Sequence, residues 1–289
     1  MRVFFLFILF VFSFLSKAQK AYSFPDDIKF VKYLHDNKEF SDALVVLHKQ
    51  EQSSAAFSAT RKDSLNYFFG WSHYNKKNLD SASIFFSRVR PPSTFYSKSK
   101  FYESFCTAYS GKYSKPDSIL GTFQADSATE QKLKNFECAG ISLLTRDYAR
   151  FDTLSKQFKG DYFPVQSEEK DLIQQREKLS KMKKKSPFLA GTMSVVIPGT
   201  GKLYAGYKGQ AIAAFLQVVS LAAVAGEAYA RDGIKSPQFI VFGGLFSIFY
   251  VGNIWGSAAS VRVKRKEANQ EIDNEILFDL HIPLRRIFN

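Results

Sequence analysis

The chain has 289 residues, a formal charge of +13 and 16% aromatic residues, including 30 Phe and 14 Tyr. That length allows two modest domains, and two cysteines, Cys106 and Cys138, exclude a disulfide scaffold. A basic balance suits nucleic acid or an anionic membrane surface; its concentration at Lys181–Lys185 and Arg262–Lys266, beside apolar segments, favours lipid headgroups over nucleic acid.

Met1 and Arg2 precede an apolar run, Val3–Leu15, and then Ser16-Lys17-Ala18. Small residues three and one positions before Gln19 mark residues 1–18 as a secretory signal cut after Ala18. An uncleaved anchor would need about 20 apolar residues, more than this run supplies. The chain beyond Ala18 is expected outside the cytoplasm, in a bacterial periplasm.

Residues 25–165 read as helix pairs. Phe30, Val31 and Leu34 share one helical face; Ala43, Leu44, Val46 and Leu47 make the stripe of the next helix. Polar turns ending in an apolar or aromatic anchor recur at Phe40, Leu79, Tyr113 and Tyr148, separated by 39, 34 and 35 residues. Pro91 and Pro92 close one pair, because proline cannot continue the helical ladder. A period near 35 residues is that of stacked helix hairpins. Gly70 in one first helix and Ala82 twelve residues on give small residues where two helices would meet; Val31 with Ala43, Ser104 with Pro116 and Ala139 with Phe151 echo this less fully. On these residues the region resembles the tetratricopeptide repeat family. The resemblance implies a curved surface for a protein or peptide partner, with Tyr74, Lys76, Lys77, Tyr109 and Lys112 as candidate surface residues. Cys106 and Cys138 fall at similar places in adjacent first helices, where either a disulfide or two buried thiols would fit.

Residues 166–186 form a charged helical linker. Ser167 followed by Glu168 and Glu169 suits a helix start, and the segment ends in three lysines, Lys183–Lys185. No aromatic platform is interleaved with them, as single-stranded nucleic acid would require.

Residues 187–261 read as a membrane module. Phe188–Ile197 is too short to span and is expected at the interface. Gly209–Ala230 contains one charged residue, Glu227, and Pro237–Val261 contains none. Each is long enough to cross about 30 Å of hydrocarbon. Gly243, Gly244, Gly252 and Gly256 offer a smooth strip for close helix contact. Gln217, Glu227 and Asn253 are candidate polar contacts within the bilayer, Glu227 lying close enough to a helix end to reach the interface. Between the short run and the first span stands Pro198-Gly199-Thr200-Gly201-Lys202-Leu203-Tyr204-Ala205-Gly206, with Gly209 extending it. Gly201-Lys202 is followed by Leu203, so the pattern is not a nucleotide-binding phosphate loop. Pro198, Gly199, Gly201, Tyr204 and Gly206 resemble the Pro-Gly-x-Gly-x-x-Tyr-x-Gly motif of small two-helix membrane domains. Together with the signal and the repeats, the arrangement looks like envelope proteins of the Bacteroides–Flavobacterium group. No catalytic residue comes with that resemblance.

The signal and the flanking charges point in opposite directions. Lys181–Lys185 and Arg262–Lys266 would normally stay in the cytoplasm, whereas a cleaved signal places both flanks outside. The signal comes first in the chain and is taken to set the orientation. In the tail, 262–289, residues 267–277 suit a helix, and 280–288 alternate as a strand or extended docking peptide would. His35, His48, His73 and His281 have no metal-ligand spacing. The expectation is an all-α, non-enzymatic scaffold without cofactor, held at the inner membrane with its repeats in the periplasm and serving envelope assembly, transport or maintenance. Its partners would be a protein or peptide, membrane lipids and larger membrane proteins. An accessory subunit of a transporter or channel is the alternative, and an enzyme acting on lipid or peptidoglycan a lesser one.

Overall fold

The computed structural model describes residues 24–52 and 54–288. The expected signal cleavage lies outside the described residues. Among them the structure is all helical. Two compact units are present, one holding the described residues through Glu169 together with the segment from Leu280, the other Lys170–Asp279.

The first unit is a series of hairpins: α1 (Phe24–Asp36) with α2 (Phe40–Gln52), α3 (Ala59–Asn75) with α4 (Leu79–Ser87), α5 (Tyr96–Tyr109) with α6 (Ser114–Thr122), and α7 (Ala128–Leu144) with α8 (Tyr148–Leu154). Consecutive helices pack on one another, and α3 also touches α5. All four hairpins turn in the same way. The residue two before each anchor is left-handed: Lys38 (φ 64°), Lys77 (φ 65°), Gly111 (φ 74°) and Arg146 (φ 63°). Its N–H bonds the carbonyl three residues back and the next N–H bonds the carbonyl five back, as in Lys77 to Tyr74 and Asn78 to His73. These bonds satisfy carbonyls that the helix end would leave open. Asn78 and Asp147 then cap the following helices, accepting from the N–H groups of Ser81 and Arg150.

Packing follows the sequence stripes except at Phe30, which is 48% exposed and stacks on Tyr33 rather than facing the core with Val31 and Leu34. Val31, Leu34, Ala43 and Leu47 are buried, as are Ala82, Phe86 and Phe69. A Cβ on Gly70 would stand 2.6 Å from the Phe86 ring, so the small residue admits the ring of the facing helix. Aromatic pairs fill the remainder; Tyr67 and Phe95 stack with centroids 4.1 Å apart. Each fully buried Phe contributes about 2 kcal/mol of transfer free energy. Cys106 and Cys138 are both buried and unbonded.

The second unit contains most of α9 (Gln166–Lys181), then α10 (Pro187–Val196), α11 (Thr200–Ala205), α12 (Lys208–Asp232) and the body of α13 (Pro237–Phe288). Two helices, α12 and α13, are long and apolar enough to cross a membrane. Only 28% and 6% of their apolar windows is buried, unlike the core helices of a soluble protein. Among the described residues, three glycines of the strip expected to pack closely, Gly243, Gly244 and Gly252, meet no other helix. A Cβ on Gly244 or Gly252 would meet nothing within 4 Å, one on Gly243 only Phe239 of its own helix, and one on Gly256 the Lys202 side chain.

The tail corrects the reading of 280–288 as a strand or extended peptide. Those residues continue α13 as helix. The alternation of Leu280, Ile282 and Leu284 suggested period two, but Leu280 and Leu284 are also one helical turn apart, and both are fully buried. Pro283 removes one ladder bond, and the helix runs through it with buried leucines on either side.

Candidate functional site

Within the first unit, the last two and a half turns of α13 lie against the first helices of three successive hairpins. The His281 ring stacks on Phe105 of α5, centroids 4.7 Å apart at 14°. Its Nε2 is hydrogen-bonded to the Tyr74 hydroxyl at the end of α3. Leu280 sits on Gly140 of α7, where a Cβ would stand 2.4 Å from its Cδ2. Phe288 packs near the rings of Phe101 and Tyr102 at 5.7 and 6.4 Å. Arg286 closes the side of the groove, donating to Glu168 at 2.9 Å and to the Pro164 carbonyl at 3.1 Å.

The end of the groove is built for a helix terminus. The Lys98 ammonium lies 4.1 Å from the centroid of the Trp71 ring and within 6 Å of those of Tyr67 and Tyr102. It donates to the Phe288 carbonyl at 2.7 Å. Carbonyls at a helix C-terminus lack intrahelical donors and carry the negative end of the dipole, so a caged cation suits them. Burial lowers the Lys98 pKa to about 8, which leaves it mostly charged at neutral pH. Burial, with Arg285 and Lys77 nearby, lowers that of His281 to about 4, so the ring is neutral against Phe105. Burial pushes the Tyr74 hydroxyl up, keeping it protonated as a donor. It also raises both thiols, Cys138 to about 11, so neither is a thiolate at neutral pH.

Of the expected partner-surface residues, Tyr74 is thus covered by the tail. Lys76 and Lys112 are exposed and tie neighbouring hairpins, Lys76 donating to Ser41 at 2.7 Å and Lys112 pairing with Asp80 at 2.9 Å. Lys77 is an exposed left-handed turn residue. Tyr109 is exposed beside Phe105. Sequence reasoning missed Lys98, Tyr102, Phe105 and Gly140. Their signal was the four-residue spacing of Leu280, Leu284 and Phe288, a helical face in search of a surface.

The glycine motif folds as a tight connection within the second unit. Gly199 has φ 86°, and a Cβ there would stand 2.3 Å from the Ala211 carbonyl oxygen. Gly201 faces the Ala190 carbonyl oxygen at a notional 1.9 Å, closer than any side chain permits. Gly206 ends α11 at φ 110°. Ser194, which carries no sequence signal of its own, joins three helices: its hydroxyl oxygen accepts from the Gly201 N–H at 2.9 Å and is hydrogen-bonded to the Ser257 hydroxyl at 2.8 Å. The Thr200 hydroxyl lies within hydrogen-bond distance of both the Met193 and Ile197 carbonyls, which share its single proton. The Tyr204 hydroxyl accepts from the Ser186 N–H at 3.2 Å. Pro198 leads into Gly199, and Gly209 lies in the first turn of α12 with open space where a Cβ would be. Gln217 is exposed, Glu227 pairs with Arg231 at 3.2 Å near the end of α12, and Asn253 is buried with neither amide atom partnered among the described residues. Comparison of this chain with protein-family models, curated proteins and solved structures finds no match.

Proposed function

We propose that this is a membrane-anchored protein-interaction scaffold whose tetratricopeptide-like hairpins hold an amphipathic helix end. One observation carries the reading: the first helices of three hairpins already accommodate such a helix through Leu280, His281, Leu284 and Phe288, with Lys98 at its terminus. A partner helix of the same chemistry would replace the chain's own tail. The α12–α13 pair would hold the scaffold in a bacterial inner membrane with the hairpins in the periplasm, serving envelope assembly, transport or maintenance.

The test uses the full-length protein in detergent and a fluorescent peptide of residues 276–288. Leu284→Asp should empty the groove by placing a charge at a fully buried position. The variant should bind the peptide more tightly than wild type, and Tyr102→Ala in the same background should weaken that binding. No binding to either protein would mean that the groove takes no helix from outside. The uncovered strip of Gly243, Gly244 and Gly252 favours a second reading, in which α13 docks against a larger transport protein in the bilayer.

A further inference from the structure

A pocket of about 190 Å³ lies between the lysine-rich stretch before α10, the end of α11 and the middle of α13. Its floor includes Ala205, just before α12, and Val261, the last residue of the uncharged run of α13; both are buried. Lys183, Lys185, Lys264 and Arg265 line it as well. Their hydrogen bonds fix the frame without neutralising it. Arg265 donates to the Lys185 carbonyl at 2.6 Å, and Lys185 donates to the Tyr204 carbonyl at 2.7 Å. Only Lys264 of the four has a carboxylate within ion-pair distance among the described residues, Glu267 at 3.3 Å, and Glu267 is shared with the Tyr207 hydroxyl.

Like charges gathered beside low-dielectric surface attract an anion. The pocket's two surfaces say which kind. Its cations suit a phosphate, whereas its apolar floor would stay wet beneath a small free anion. An amphiphile with an anionic head satisfies both surfaces at once.

We propose that this pocket binds the phosphodiester of an anionic phospholipid, with the glycerol end of the lipid against Ala205 and Val261. The proposal goes beyond the scaffold reading and does not need the groove; it rests on the helices lying in a bilayer, which carbonate extraction reads separately. Full-length protein would be placed in nanodiscs of phosphatidylcholine with a minor fraction of phosphatidylglycerol, and the phosphatidylglycerol retained after extraction into detergent measured by native mass spectrometry. Lys183→Gln with Arg265→Gln should lower its affinity roughly tenfold or more, as loss of two cations near a charged surface does. Arg231→Gln with Lys235→Gln removes equal charge at the turn joining α12 and α13 and should leave retention unchanged. Lys183→Arg with Arg265→Lys keeps the charge and should retain the lipid. Equal loss in both glutamine pairs, or in neither, overturns the site. Displacement of the lipid by inorganic phosphate alone would identify a free-anion site and overturn the lipid assignment.

Discussion

Leu280 occupies the space that a Cβ on Gly140 would need: its Cδ2 stands 2.4 Å from that position. Glycine within a helix ordinarily costs about 0.5–1 kcal/mol relative to alanine, so Gly140→Ala should stabilise α7 considered alone. Leu280 is fully buried and has little room to withdraw, and overpacking of this kind costs about 1–3 kcal/mol. Gly140→Ala is therefore expected to destabilise the full-length protein. In a Leu280→Ala background the same change should be neutral or stabilising. Unfolding midpoints of the four proteins form a double-mutant cycle; additive effects would show that the two residues do not meet.

His281 links docking of the tail to pH. Its neighbours are Tyr74, Phe105, Arg285 and Lys77, none of them an anion at neutral pH. The docked pKa is about 4, below the ordinary 6.5, so the contribution of the neutral ring is fully present above pH 6.5 and lost as pH falls towards 4. His35, also lowered to about 4 by burial, acts in the same window, which makes global melts ambiguous. The local measurement is an NMR titration of His281. It should titrate near 4 in wild type and near 6.5 in Leu284→Asp, whose tail is released. The same value in both proteins would disconnect His281 from docking.

The hairpins were legible because their anchors and stripes are local. Gly70 admits Phe86 of the facing helix and Ala82 is buried, and the turns at Leu79 and Tyr148 announce themselves through Asn78 and Asp147. The tail was not legible, since Leu280, Ile282 and Leu284 fit two periods and only a surface distant in sequence chooses between them. Sequence also located the glycines of the membrane-approach motif but not their partners. Ser194 and Ala190 look like ordinary residues of an apolar run until the chain folds back on them.

Glu137 is almost fully buried, with Oε1 unpartnered among the described residues, and burial raises its pKa well above the usual carboxyl value. The native state therefore favours the protonated acid. Its contribution is fully present below the ordinary carboxyl range and is lost as pH rises through the raised value. Glu137→Gln remains neutral at every pH, so the variant should gain stability relative to wild type between pH 5 and 8. Thermal melts of both proteins across that range provide the check. A constant difference would mean that Glu137 is not held protonated.

In the turn from α10 to α12 the glycines differ in crowding and backbone angle. A Cβ at Gly201 would meet the backbone oxygen of Ala190 at 1.9 Å, and a carbonyl within α10 cannot rotate away as a side-chain end can. Gly201→Ala should thus separate α11 from α10 and break the Gly201–Ser194 hydrogen bond. Gly206 has open space, but its φ of 110° lies outside what an L side chain readily adopts, so alanine there should cost about 1–2 kcal/mol through the backbone alone. Thr200→Val keeps the branched shape and removes the single hydroxyl proton shared between the Met193 and Ile197 carbonyls, a loss of about 1 kcal/mol. Gly209 has neither crowding nor positive φ, and Gly209→Ala should be neutral or gain about 0.5–1 kcal/mol in α12. Expression of each variant, carbonate extraction and thermal stability in detergent should place Gly201→Ala lowest and Gly209→Ala highest. Equal behaviour of these two would show that close approach of α10 and α11 is not what the motif provides.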